Sequence, residues 1–192
     1  MILLEFIFMN SSDAQRFGGG LKLSGTLSQI DGDDVYGFHK PGFEIGIFGK
    51  TRLTKIFDIE IHFSYNQRGS QSTISDIQQV EFNLHYVDIP LLFVLKDWLN
   101  VEKEKEYYHM NFFAGFSIGR LISSSSLGGL DKDFRKTDFS WILGATYFYA
   151  QNWGVTGKYT RSLTSLFERA VGNGQVKMIS YFISLGLVYK FN

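Results

Sequence analysis

Apolar and polar residues alternate with a period of two along most of the chain, the signature of strands whose two faces meet different surroundings. In Leu21–Ser28, Leu21, Leu23 and Leu27 share one face and Lys22, Ser24, Thr26 and Ser28 the other. Phe43–Lys50 gathers Phe43, Ile45 and Ile47. Phe57–Asn66 sets Phe57, Ile59, Ile61, Phe63 and Tyr65 against Asp58, Glu60, His62, Ser64 and Asn66. A fourth segment opens with Val80, Phe82, Leu84 and Tyr86 opposing Glu81, Asn83 and His85, after which Val87, Ile89, Leu91, Phe93 and Leu95 form the apolar set. One inserted residue turns over every later side chain, so this change of parity predicts a β-bulge near Tyr86–Pro90, where a proline is tolerated.

The second half repeats the scheme. Met110, Phe112, Ala114, Phe116 and Ile118 define a fifth apolar face, and Phe139, Trp141, Leu143, Ala145, Tyr147 and Tyr149 a sixth. Trp153, Val155, Gly157 and Tyr159 make a seventh, and Ile179, Tyr181, Ile183, Leu185, Leu187, Tyr189 and Phe191 an eighth. The odd links are long and polar: Asp31–Pro41, Arg68–Gln79, Ser123–Asp138 and Ser162–Lys177. Two even links, Thr51–Ile56 and Gln151–Asn152, are short, and Asp97–Tyr107 departs from that rule. Strands crossing a membrane in sequence order put odd and even links on opposite sides; long outer loops and short periplasmic turns are the outer-membrane arrangement. The expected fold is therefore all-β: an eight-stranded antiparallel up-and-down transmembrane β-barrel with both termini in the periplasm.

Alternation does not say which face points outward, since a soluble barrel can enclose its apolar side. Three features favour apolar side chains toward lipid. Aromatics gather at the two ends of the apolar face, with Tyr65, Trp141 and Tyr181 toward one end and Tyr149, Trp153, Tyr189 and Phe191 toward the other. Such girdles place amphipathic rings at the headgroup level. The polar face mixes acids and bases, and Lys22, Glu44, Glu60, His62, Glu81, His85 and Lys158 form the expected polar network of the lumen. The chain ends on an alternating strand with an aromatic at Phe191, similar to the signal read by the β-barrel insertion machinery, although Asn192 follows it.

Composition narrows the picture. Only two prolines occur in 192 residues, which suits a chain that is mostly sheet. Cysteine is absent, so disulfides, cysteine metal sites and thiol nucleophiles are excluded. Balanced formal charge gives no general attraction to nucleic acid, and no nucleic-acid partner is expected. Met1–Met9 is a short apolar run followed by Ser12-Asp13-Ala14, a pattern that predicts a signal peptide cut near Ala14–Gln15, although Glu5 interrupts the run and no basic residue precedes it. Residues 1–14 are then a leader and 15–192 the barrel.

The chain resembles the PorT-like, porin-family outer-membrane β-barrels of Gram-negative bacteria. The resemblance rests on Gly20–Asp33, on Lys40–Gly49, on Tyr65-Asn66-Gln67-Arg68-Gly69-Ser70, and most specifically on Tyr86-Val87-Asp88-Ile89-Pro90-Leu91-Leu92, similar to that family's Tyr-Leu-Glu-Ile-Pro-Leu-Leu. It implies an eight-stranded barrel and supplies no shared catalytic residues.

Candidate chemistry is sparse. His62-Phe63-Ser64 is similar to the His-x-Ser pair that lipid A deacylases carry on a barrel strand, and a histidine can activate a serine hydroxyl. Those enzymes hold the pair on the lipid face, whereas His62 and Ser64 share parity with Glu60 and belong to the lumen. Asp31-Gly32-Asp33-Asp34 lacks the later ligands of a calcium loop and reads as a polar turn. Glu102–Glu106 alternates in charge, as solvated faces do. No catalytic, cofactor or metal residue is expected. An eight-stranded lumen is just wide enough for side chains to fill it, so the expectation is a structural or interaction protein acting through its loops, in contact with outer-membrane lipid and with a protein partner. A lipid A-modifying enzyme and a narrow solute or ion channel are the alternatives.

Overall fold

The computed structural model describes residues 17–32, 37–72, 81–100, 107–126, 134–171 and 174–191, with the backbone alone for 168–171 and 174–176. The leader expected over residues 1–14, Val80, Asp33 and Asp34 and the charge run at 102–106 lie outside the described residues. The strands are β1 (Phe17–Asp31), β2 (Lys40–Arg52), β3 (Phe57–Gln71), β4 (Glu81–Asn100), β5 (Tyr107–Ser126), β6 (Thr137–Phe148), β7 (Trp153–Ser162), β8 (Phe167–Val171) and β9 (Gly174–Lys190). Each of β1 to β6 pairs with the next, β7 pairs with β9, and β9 closes on β1 from Gly20↔Lys190 to Asp31↔Ile179. Among the described residues, eight antiparallel strands thus form a closed wall. The short β8 lies outside that wall and pairs only with the start of β9.

Following paired residues around the wall defines its geometry. Gly19 leads through Gly49, Ile61, Leu91, Phe116, Trp141, Arg161 and Tyr181 to Gln29, ten residues further up β1. A shear of ten over eight strands tilts them by roughly 40°. Because the offset is even, inward positions remain inward all the way round. The turn-side links are tight: the amides of Leu53 and Thr54 both donate to the Phe57 carbonyl, and Lys190 N donates to the Asn152 carbonyl.

Across the middle of the wall, apolar side chains point outward, and the inward ones combine charged and polar residues with two apolar clusters, Leu92, Val94, Phe113 and Ile142 in one and Phe48, Phe148 and Val188 in the other. Leu185 is 66% exposed, Phe116 62% and Leu23 56%, while Lys22, Glu44 and Lys158 are buried. A continuous apolar belt of this kind is untenable in water and natural in lipid, where a closed barrel leaves no strand edge unsatisfied. Tyr181 on β9 and Phe191 just after that strand stand ten residues apart. At a rise of about 3.4 Å per residue and this tilt, they span about 25 Å, the height of an outer-membrane apolar band.

The change of parity in β4 has a different cause from the one expected. β3 and β4 pair without a break in register from Phe57↔Leu95 to Gln71↔Glu81, so β4 carries no inserted residue. Phe82, Leu84 and Tyr86 point into the barrel together with Asp88, Leu92 and Val94. Above the membrane the outside of the wall meets water and the inside packs as a core, so the polarity of the two faces exchanges while the strand runs on. The register shift falls on the partner strand: His85 pairs with Ser123 and Tyr86 with Leu121, which leaves Ile122 of β5 as the extra residue.

Strands also run further than the alternation suggested. Arg68–Gln71 belongs to β3, Ser123–Ser126 to β5, Asp138 to β6 and Asp97–Asn100 to β4. Within the expected link Ser162–Lys177, β8 and the start of β9 form a hairpin.

Candidate functional site

The interior is a column of ion pairs capped by an apolar lid. Near the turn end Lys96 donates to Asp58 at 2.7 Å, and Glu60 and His62 meet at 3.0 Å. His62 stacks on Phe48 with ring centroids 5.0 Å apart. At mid-height Glu44 lies between two cations: Lys158 donates to it at 2.8 Å and Lys22 stands 3.9 Å away. Ser184 Oγ donates to the other carboxylate oxygen at 3.4 Å. A cavity of about 20 Å³ remains beside Lys22, Glu60, His62, Asn111 and Phe113, space for about one water.

Above these pairs sits Arg68, fully buried. Its guanidinium is 3.1 Å from Asp138 and 3.5 Å from Asp88, and its central carbon lies 3.7 Å over the Tyr86 ring. Asn66 donates to Asp88. Asp138 accepts from Ser140, Ser162 and Thr164 at 2.8, 3.1 and 2.9 Å. Gly119 makes room for this cluster, because a Cβ there would collide with the Asp88 carboxylate and crowd Arg68. An isolated charge in such a place is prohibitive; here Arg68 is ion-paired to both carboxylates and lies over an aromatic ring, and the carboxylates accept hydrogen bonds from Asn66, Ser140, Ser162 and Thr164.

The lid closes the loop end. Ile30, Phe82, Leu84, Tyr86, Phe134, Leu166 and Met178 form one buried cluster, with Leu121 and Phe167 packed against it. Phe134 and Leu166 come from links between strands. They are held by backbone bonds from Arg135 N to the Leu166 carbonyl and from Leu166 N to the Met178 carbonyl, at 2.8 and 2.7 Å.

Of the residues expected in the lumen, Lys22, Glu44, Glu60, His62 and Lys158 are inside and close together. Glu81 and His85 are not. They lie on the outer face of β4, because that strand keeps its register where the polarity of its surroundings reverses. Glu81 pairs there with Lys40 at 2.8 Å, and His85 Nδ1 meets the Tyr65 hydroxyl at 2.6 Å. Hydrogen bonds from Lys40 and then Asn83, with the Lys40 charge adding, hold the Glu81 carboxyl below the ordinary glutamate range. Arg68, Asp88, Asp138 and Lys96 were not singled out from the sequence. Even parity continued from Asp58 through Glu60, His62, Ser64 and Asn66 would have reached Arg68.

His62 and Ser64 do not form a nucleophile pair. His62 Nε2 engages Glu60, and Ser64 Oγ has no hydrogen-bond partner among the described residues. Among the described residues no group of three or more His, Asp or Glu side chains is placed to hold a metal ion.

Outside, aromatic rings meet at both ends of the belt. Trp153 lies 4.8 Å from Tyr189, and Tyr189 5.9 Å from Phe191, with Tyr149 exposed nearby in the chain. Toward the loops Trp141 lies 5.3 Å from Tyr159, Tyr159 6.3 Å from Tyr181, and Tyr65 5.5 Å from Phe43. Trp98, His109 and Tyr147 extend the turn-end group, with centroids 5.2 to 6.2 Å apart.

A closed antiparallel wall, apolar outside and charged within, defines a transmembrane β-barrel of the bacterial outer membrane. Residues 11–168 match the model of the outer membrane protein beta-barrel domain, and the chain belongs to that family. None of the curated proteins matches the chain by sequence. Among solved structures it is similar to Ail, the attachment invasion locus protein of Yersinia pestis, at 12% identity over 92% of this chain and 99% of that one, with a TM-score of 0.49. Neisserial surface protein A is similar at 14% identity over 91% and 97%, with a TM-score of 0.49. The N-terminal β-barrel domain of Pseudomonas aeruginosa OprF is similar at 10% identity over 90% and 97%, with a TM-score of 0.38.

Proposed function

We propose that this outer-membrane barrel is a non-conducting structural or interaction protein whose loop end binds a protein partner, as an accessory subunit of a larger outer-membrane assembly. The observation that carries this reading is the filled interior: Arg68 clamped by Asp88 and Asp138, beneath the lid of Phe134 and Leu166 over Phe82 and Leu84. A lumen closed at two levels leaves the rigidly mounted loops as the working surface. The Tyr86–Leu92 segment supports placing the chain with PorT-like barrels, and the apolar start of the chain supports export by a leader. The aromatic ends of the belt support seating at the two lipid interfaces.

Pull-down from mild detergent, alongside planar-bilayer recording of the purified protein, tests the proposal. A defined co-purifying outer-membrane protein and a silent bilayer are the expected results. Reproducible conductance steps would favour the narrow channel instead. Lipid A of altered acylation on expression, restored by His62→Ala, would favour the enzyme.

A further inference from the structure

Lys22, Asn111 and Lys190 surround one small cavity of the lumen, of about 20 Å³, with hydrogen-bonding capacity to spare. Lys22 is buried, and its ammonium makes no hydrogen bond among the described residues; its ion-pair partner Glu44 stands 3.9 Å away. Asn111 is buried too, and its amide oxygen has no partner among the described residues. Lys190, half-buried, carries its ammonium 3.3 Å over the Phe148 ring and has no ion pair among the described residues. The carboxylates of this part of the lumen are already taken. Lys96 holds Asp58 at 2.7 Å, Glu60 meets His62 at 3.0 Å, and Lys158 holds Glu44 at 2.8 Å. Lys50, half-buried at the same end, also lacks an ion pair among the described residues, and its methylenes lie across Gly18, where a Cβ would collide with them. A buried ammonium without an anion is costly, and a ring face beneath it offsets only part of that cost. Buried polar groups left without partners mark the place of a water or an ion.

We infer that this cavity binds one monatomic anion of the halide class, with chloride as the physiological ion. Lys22 and Lys190 donate to it from two sides. Asn111 donates as well, since a half-turn about its terminal bond exchanges amide oxygen for nitrogen. The space admits one sphere about the size of a water molecule, so oxyanions such as phosphate and sulfate are too large. Glu60 also lines the cavity, but it is engaged by His62, and the two ammoniums outweigh it. Phe48, Phe113 and Phe148 complete the lining, and in so dry a setting each charge counts for more than in water. The Arg68 cluster closes the lumen above, so the ion enters and leaves at the turn end, past Lys50 and Lys190.

Crystals of the detergent-purified protein grown with bromide in place of chloride test the site by anomalous scattering. A single bromide peak among Lys22, Asn111 and Lys190 is the expected result. A cavity holding only water, with no anomalous peak, overturns the inference. Thermal unfolding in micelles, with chloride exchanged for gluconate at fixed ionic strength, gives a second reading. Wild type gains stability as chloride rises, because the folded state alone has the site. Lys190→Met needs about tenfold more chloride for the same gain, the scale of one lost charge-assisted bond. Asn111→Leu, which removes the amide and fills the space, abolishes the gain, and Lys136→Met on the outside leaves it unchanged. The heat-modifiable shift on a denaturing gel shows that each variant is folded. A wild type indifferent to the exchange of chloride for gluconate overturns the inference, as does a full chloride response in Lys190→Met or Asn111→Leu.

Discussion

Arg68 on β3 and Asp138 on β6 meet at 3.1 Å across the lumen, although two strands of wall, β4 and β5, separate them the short way round. Each comes from a segment that the alternation pattern assigned to a loop. Their contact joins opposite sides of the barrel at the level where the lipid-embedded wall gives way to the water-exposed one.

Removing the cation strands two buried carboxylates. Arg68→Met is expected to destabilise the barrel by about 3–5 kcal/mol, the scale for breaking a buried pair, read from denaturant unfolding in micelles. Asp138→Asn in the same chain should recover part of that loss. A loss below about 1 kcal/mol for Arg68→Met would mean that the cluster adds little.

The unbroken register of β4 makes Phe82 a core residue and Asn83 a surface one. Phe82→Ala should cost about 3–5 kcal/mol, and Asn83→Ser should stay within about 0.5 kcal/mol. The same unfolding experiment decides between this arrangement and a slipped strand, in which Phe82 would point outward and its truncation would leave no core cavity.

Arginine scanning reads the height of the belt. Leu185→Arg, near mid-wall on the outer face, should cost about 2–4 kcal/mol in bilayer-supported unfolding. Ser123→Arg, also outward but beyond the belt, should cost no more than about 0.5 kcal/mol. Equal costs at the two positions would contradict the boundary drawn here.

Glu81 gives the loop end an acid response. Its folded pKa is depressed, so the stability it contributes is present above the ordinary glutamate pKa and is lost as pH falls through the lowered one. Carbon-13 NMR of the carboxyl should show Glu81 titrating below ordinary glutamates, and Lys40→Met should move it back toward them. Titration at the ordinary value in the wild type would contradict the Lys40 pairing. The contribution is small, since the Glu81 carboxylate is exposed and screened by water although Lys40 is buried.

The middle of the wall was legible because lipid on one side and a charged lumen on the other impose strict alternation, as Phe57–Asn66 shows. The loop end was not, because alternation carries no sign: it shows that two faces differ without saying which one is wet. By pattern alone Phe82, Leu84 and Tyr86 belong with the lipid-facing residues and Glu81 and His85 with the lumen, the reverse of their places in the fold. Ser123–Ser126 has no alternation at all, and β5 extends through it only because β4 supplies the ladder. Arg68 and Asp138 were hidden by their positions near strand ends, where chain-local pattern gives way to contacts across the barrel.

The exchange of polarity along β4 has a mechanical consequence. The same ladder that is solvated by acyl chains below continues as the scaffold of a water-soluble core above, with no hinge between them. A molecule landing on the loops meets a stiff pedestal rooted in the bilayer, and little of its interaction energy is spent on ordering the ground it stands on.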